Sequence, residues 1–184
     1  MPNLYLVLVH YPVVNKNGDV IASAVTNLDL HDIARAAKTY GVKGFFVATR
    51  LADQIELIKR IIGHWTNGAG ADYNPARRSA LELIRTKESI EDVVSHIDAE
   101  EGVRPRTIAT CARKFDDAIS CERMRSLMHN GKPHLLVFGT AWGLAEETIL
   151  QADYILEPVM GNTDYNHLSV RSAASIILDR LAGR

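Results

Sequence analysis

Leu135-Leu136-Val137-Phe138-Gly139-Thr140-Ala141-Trp142-Gly143-Leu144, followed shortly by Tyr154-Ile155-Leu156-Glu157-Pro158-Val159-Met160-Gly161-Asn162, decides how this chain is read. Each stretch is a short apolar run, Leu135–Phe138 and Tyr154–Leu156, ending in a loop of glycine, proline and asparagine. Each loop opens into a helical pattern, the second of them over Leu168–Leu181. Loops at the carboxyl ends of parallel strands are where open α/β sheets hold ligands. Glycine at Gly139, Gly143 and Gly161 lets backbone approach a ligand closely. The polar run Thr163-Asp164-Tyr165-Asn166-His167 delivers hydrogen-bonding groups straight to the start of the last helix. The two loops therefore predict a cavity walled mostly by backbone.

The same alternation extends to the amino end. Leu4–Val9 is a near-continuous apolar strand, as expected of one covered on both faces. Asn15–Asp19 is turn chemistry. Asp29 precedes a helical pattern through Ile33, Ala34, Ala37 and Tyr40, which Gly41 ends. Gly44–Ala48 reads as a strand, and Ala52–Trp65 as an amphipathic helix with Ile55, Ile58, Ile62 and Trp65 on its apolar side. Thr66–Arg78 reads as a long loop, and Ser79–Thr86 fits strand or helix. Ser89 caps a helix to about Ala99, Arg106–Thr110 is a strand, and Ser120–His129 is a helix closed by Asn130-Gly131. The order predicts an α/β fold, with a mostly parallel sheet and helices on both faces. There is no internal repeat or linker, so residues 1–184 are expected to form a single domain.

The chain has 184 residues, 47% of them hydrophobic, which is enough for a real core. A net charge of −1 argues against a general polyanion binder but leaves room for local basic patches. Two are visible: Arg77-Arg78, and the stretch from Arg104 to Arg125 that contains Arg113 and Lys114. No apolar run is long enough to span a bilayer, and the amino end lacks the features of a signal peptide, so a cytosolic location is expected. Cys111 and Cys121 read as reduced, largely buried thiols. The histidines have no metal-ligand spacing, and no metal is expected. The P-loop, the Rossmann glycine fingerprint and the nucleophile elbow are all missing.

Taken together, the strand with Gly139–Leu144, then Glu157–Asn162, then Asn166-His167-Leu168-Ser169-Val170-Arg171-Ser172-Ala173 resemble the closing motifs of the SPOUT superfamily of RNA methyltransferases. More narrowly, nearly the whole chain is similar to a small bacterial family of stand-alone SPOUT domains. His10-Tyr11-Pro12-Val13, the run Thr26–Arg35 and Ala71-Asp72-Tyr73-Asn74-Pro75 carry that likeness. It implies a C-terminal deep trefoil knot, a cofactor of S-adenosylmethionine and a homodimer with the last helix at the interface, a place that Ala173-Ala174 suits.

By the same resemblance Phe138, Gly139, Thr140, Gly143 and Leu144 line one side of the cofactor. Pro158, Gly161, Asn166, Leu168 and Ser169 line the other, and Thr110 at the end of the earlier strand forms a third wall. Arg35, Tyr165, Asn166 and His167 are the candidate catalytic residues. Asn27 and Arg35 resemble the early Asn…Arg pair of ribose-methylating members, two residues further apart. Arg77, Arg78, Arg113 and Lys114 are the candidate contacts to a tRNA or rRNA. Two other readings stay open: a SPOUT-like module that binds an adenosyl ligand or RNA without turnover, and a flavodoxin-like nucleotide-binding domain.

Overall fold

The computed structural model describes residues 3–184. From the amino end the elements are β1 (Leu4–Val9), a small hairpin of β2 (Val13–Val14) and β3 (Val20–Ile21), α1 (Asn27–Thr39) and β4 (Gly44–Ala48). Next come α2 (Ala52–Thr66), α3 (Ala69–Tyr73), α4 (Pro75–Leu81), β5 (Ile84–Lys87) and α5 (Ile90–Glu101). The last third holds β6 (Arg106–Thr110), α6 (Cys121–Leu127), β7 (His134–Gly139), α7 (Glu146–Leu150), β8 (Tyr154–Leu156) and α8 (Val170–Ala182).

Six strands form one sheet in the order β5-β4-β1-β7-β6-β8, every neighbouring pair parallel. From β1 the chain moves outward through β4 to β5. From β7 it moves the other way, past β6 to β8. The order therefore reverses between β1 and β7, and the carboxyl ends of those two strands border the crevice where such sheets bind ligands.

Alternate residues of the strands feed two apolar layers, as the period of two demands. Leu4, Leu6 and Leu8 of β1 join Phe45, Val47, Leu136 and Phe138 beneath α1, α4, α6 and α8. Tyr5, Val7 and Val9 join Phe46, Leu135 and Val137 beneath α5, with Ile149 of α7. All of β1 is buried, which is why its sequence is an unbroken apolar run.

One polar tie closes the bottom of the sheet. Glu101, at the end of α5, accepts hydrogen bonds from Lys43 Nζ (2.6 Å), Tyr5 Oη (2.6 Å) and Asn3 Nδ2 (2.8 Å). Those donors, Lys43 first, hold its carboxyl down at about 2.

Thr66–Arg78 is not a loop. It folds into the end of α2, α3 and most of α4, since Pro75 suits a first helical position and Asn74 Oδ1 accepts from Arg77 N at 2.9 Å. The ambiguous stretch after it divides into the end of α4 and β5. The first long helix starts earlier than Asp29: Thr26 is its cap, and Asp29 sits in the first turn. The hairpin was not legible, because two-residue strands leave no periodicity to detect.

Candidate active site

A cavity of about 700 Å³ opens at the carboxyl ends of β6 and β7. Its floor and walls are apolar at Phe138, Leu144, Ile149, Val159 and Ile177. Its polar groups include Ser23, Thr26 and Asp29 on one side, Thr110 and Thr140 at the strand ends, Arg113 after β6, and Asn166, His167, Ser169 and Arg171 on the way into α8. This size and mixture suit a molecule of cofactor dimensions.

The loop after β7 is held in a conformation that few sequences tolerate. A Cβ on Gly139 would lie 2.4 Å from Leu144 N and 2.7 Å from Gly143 C, both backbone atoms of the same loop. Gly143 has φ +109°, and Ala141, without the freedom of glycine, has φ +52°. Such backbone persists only where the surroundings enforce it. Here the hairpin does so: Trp142 N donates to Val14 O (3.1 Å) and Val14 N donates to Gly143 O (3.0 Å).

A hydrogen-bond chain runs from the loop into the interior. Thr140 Oγ1 donates to Val9 O at 2.9 Å, because a carbonyl can only accept. Thr140 Oγ1 must then accept from Ser23 Oγ at 2.5 Å, and Ser23 Oγ from the Nδ1–H of His10 at 2.9 Å. That fixes the tautomer: Nε2 of His10 carries the lone pair, and it is buried without a partner among the described residues. Burial pushes the imidazole down to about 4, against the opposing pull of Asp29 and of the bond at Ser23.

The linkage has a definite sign. An unfolded histidine binds its proton near pH 6.5, while folded His10 stays neutral to about 4. The stability that neutral His10 supplies is therefore present above pH 6.5 and is lost as pH falls toward 4. Urea denaturation is expected to show this loss in the wild type and a flatter profile in His10→Asn, which keeps a donor for Ser23. Equal slopes in the two proteins would refute the assignment.

Asp29 is a buried carboxylate on the cavity wall. It accepts from Thr26 Oγ1 at 2.6 Å and pairs with Arg171 Nη1 at 3.2 Å. Arg171 also lies 3.5 Å from Asp32 Oδ2, so it bridges the starts of α1 and α8. Asn166 ties its loop to the one after β6, donating through Nδ2 to Ala112 O (2.9 Å) and, within its own loop, to Met160 Sδ (3.3 Å). Cys111 lines the cavity, donates to Arg113 O at 3.1 Å, and has its thiol pushed up by burial.

Of the expected cofactor residues, Thr110, Phe138, Gly139, Thr140, Gly143, Leu144, Asn166, Leu168 and Ser169 line this cavity. Pro158 and Gly161 do not, and the exit from β8 contributes Val159 instead. Of the expected catalytic residues, Asn166 and His167 line it. Tyr165 stands outside with its ring edge-on to His167. Arg35 lies in a separate shallow depression between α1 and α8.

The basic residues divide. Arg113 is on the cavity wall. Arg77 lies over the ring of Trp65 (4.5 Å), and Arg78 pairs with Glu82 on their own helix at 3.0 Å. Lys114 is exposed beside Arg113. Ala174 is buried in the chain's own core and Ala173 lines the cavity. Sequence reasoning missed Ser23, Asp29, Trp142 and Arg171. Trp142 and Arg171 stand inside the closing motifs and so left a signal, whereas Ser23 and Asp29 reach the cavity from distant elements. Among the described residues no group of three His, Cys, Asp or Glu side chains is placed to hold a metal. No described helix is long and apolar enough to cross a membrane.

A family model described as SAM-dependent RNA methyltransferase matches residues 3–183. The chain belongs to that family. A relative from Oleidesulfovibrio alaskensis, named tRNA (guanine-N(1)-)-methyltransferase, is 45% identical over 181 residues, covering 98% of this chain and 42% of the relative. One from Nitratidesulfovibrio vulgaris with the same name is 44% identical over the same shares. This member of the family thus spans less than half the length of those two relatives. An Aquifex aeolicus relative, named only as an uncharacterized protein, is 37% identical and covered over 89% of its length, with 99% of this chain.

Solved structures share the methyltransferase fold at low identity. A probable methylase family protein from Haemophilus influenzae superposes with a TM-score of 0.64 at 19% identity, over 98% of this chain and 65% of that one. The TrmH/SpoU tRNA modifying enzyme of A. aeolicus gives 0.59 at 16%, over 99% and 75%. The SpoU methyltransferase AviRb of Streptomyces viridochromogenes, in complex with AdoMet, gives 0.56 at 18%, over 99% and 58%. The fold is thus the SPOUT α/β fold, and the early flavodoxin-like alternative falls away.

Proposed function

We propose that this chain transfers a methyl group from S-adenosylmethionine to a nucleotide of RNA, and that the cavity at the ends of β6 and β7 holds both reactants. What carries the reading is the strained loop 139–144 facing an apolar cavity of cofactor size, in a chain of this family. Nothing but hydrogen projects from Gly143 toward open space. Phe138, Leu144, Ile149 and Val159 offer an apolar slot for an adenine ring, and Ser169, Thr110 and Asn166 surround it with polar atoms.

S-adenosylmethionine, when bound, supplies an electrophilic methyl group on a sulfonium. The chain's own residues then have three tasks. The first is to hold the reacting groups in line, which can account for a large part of a rate enhancement. The rigid Gly139–Leu144 loop, clamped by Val14 and Thr140, does this. The second is to accept the proton that a hydroxyl or ring N–H acceptor gives up. His167 is the imidazole on the cavity wall in position to take it on a ring nitrogen. The third is to offer no competing nucleophile. Burial keeps the Cys111 thiol protonated, and a thiol is a far weaker nucleophile than a thiolate.

The guanine-N1 activity in the names of the longer relatives is that of proteins more than twice this length. A second reading follows from that same observation: the domain binds ligand and RNA for a catalytic unit elsewhere in a larger assembly. We infer a knotted C-terminal segment from the family resemblance, with α8 packed on α1 and α6. We infer a homodimer from the family resemblance, with a cytosolic site of action.

Calorimetric titration with S-adenosylhomocysteine tests the first reading, with one saturable site per chain expected. Absence of heat at about 1 mM ligand, an affinity too weak to register at −4 kcal/mol, would sink it. Incubation with labelled S-adenosylmethionine and total tRNA or rRNA separates the two readings: methylated RNA supports the enzyme, while binding without incorporation supports the module.

A further inference from the structure

At the mouth of the cavity the chain leaves two large aromatic side chains exposed. Trp142 is 65% exposed and Tyr165 is 73% exposed. His167 sits between them, its ring 6.2 Å from that of Trp142 and 6.4 Å from that of Tyr165. The other tryptophan makes a contrast: Trp65 is enclosed by Arg77 on its face and by the edges of His31 and His64. Trp142 has no such cover, although its backbone is held by hydrogen bonds to Val14. An aromatic face kept in water on a fixed backbone marks a binding surface.

The chemistry beside it narrows the occupant. Arg113 lies on the same rim, loosely paired with Glu146 at 3.9 Å, and Lys114 is exposed next to it. A π face flanked by cations matches an unpaired base with its phosphates. A nucleotide that enters a cavity must also leave its own stack, so a platform at the cavity mouth replaces the neighbours it loses.

We propose that Trp142, backed by His167 and Tyr165, is a stacking platform for one unpaired RNA base at the cavity mouth, with Arg113 beside it for the phosphate. This rests on the methyltransferase reading of the cavity. The platform gives the protein a preference for single strands and loops over duplex, and it recognises any base that presents a flat face.

The test is a fluorescence titration of the full chain, saturated with S-adenosylhomocysteine, using a short single-stranded uridine oligoribonucleotide and a duplex of the same length. The single strand is expected to quench indole emission, and the quench should vanish in Trp142→Phe, which leaves Trp65 as the remaining indole of the two. By anisotropy, Trp142→Ala should weaken single-strand binding about tenfold, and Trp142→Phe much less. Equal binding by Trp142→Ala and wild type overturns the proposal. So does a quench produced by S-adenosylhomocysteine alone and unchanged by RNA, which makes Trp142 a wall of the cofactor site. A Trp142→Ala protein that loses self-association but keeps RNA affinity assigns the face to a second copy instead. The cofactor titration of the wild type stands apart: its failure removes the methyltransferase reading, whereas a failed oligonucleotide test with an intact cofactor titration removes only the platform.

Discussion

Gly139→Ala is expected to lower affinity for S-adenosylhomocysteine by at least about a hundredfold while leaving most of the fold in place. The added methyl carbon would sit 2.4 Å from Leu144 N and 2.7 Å from Gly143 C. Neither atom belongs to a side chain that can swing away. Relief must come from moving the loop, which is tied to Val14 by two hydrogen bonds and to Val9 through Thr140. Strain of this kind typically costs about 1–3 kcal/mol of stability. The effect on binding is larger, because a displacement of one ångström at a positioning element can cost about a hundredfold. Calorimetry gives the affinity and a thermal melt gives the stability. A variant that binds ligand like the wild type would show that the loop does not form the cofactor wall. The second variant Gly143→Ala probes the other side of the argument, since its penalty comes from a φ of +109° with open space around the added carbon.

The second large effect is at the pair between α1 and α8. Arg171→Met is expected to destabilise the chain by about 3 kcal/mol, read by urea denaturation. The side chain of Asp29 is 9% exposed and that of Arg171 is 35% exposed, so removing the guanidinium strands a nearly buried carboxylate. Thr26 Oγ1 still donates to Asp29, which keeps the loss at the lower end of the range for broken buried pairs. Asp29→Asn combined with Arg171→Met should cost less than the two single changes added together, because no orphaned charge remains. Strict additivity would show that the pair contributes nothing as a pair. The same pair fixes the start of α8 against the cavity, so Arg171→Met is also expected to weaken ligand binding.

Much of the fold was legible because its signals are local. The burial of Leu4–Val9 on both faces appears as an unbroken apolar run. Ser89 and Ser120 cap the helices that follow them, as their positions suggested, each accepting from the backbone N–H three residues on. Arg106–Thr110 and Tyr154–Leu156 are strands with the bounds read from their residues. Where the reading failed, local signals competed. Glycine and asparagine from Asn67 to Asn74 suggested a loop, but packing of α3 and α4 against α2 and α1 overrides that composition, and Gly70 is there because Trp65 lies against it.

The sequence by itself determined five of the six sheet strands, their parallel layering, the two closing loops and, through their motifs, the family and its cofactor. Only the tertiary structure decided which side chains meet at the cavity. Ser23 reaches Thr140 across 117 residues, Asp29 reaches Arg171 across 142, and Thr140 reaches Val9 across 131. The reason is physical. Periodicity and capping report which face of an element is buried and where it ends, and both are set within a few residues. Which buried faces come together depends on strand order, and here β7 inserts between β1 and β6. That insertion brings the end of the first strand beside the loop 139–144 and makes one site from residues at both ends of the chain.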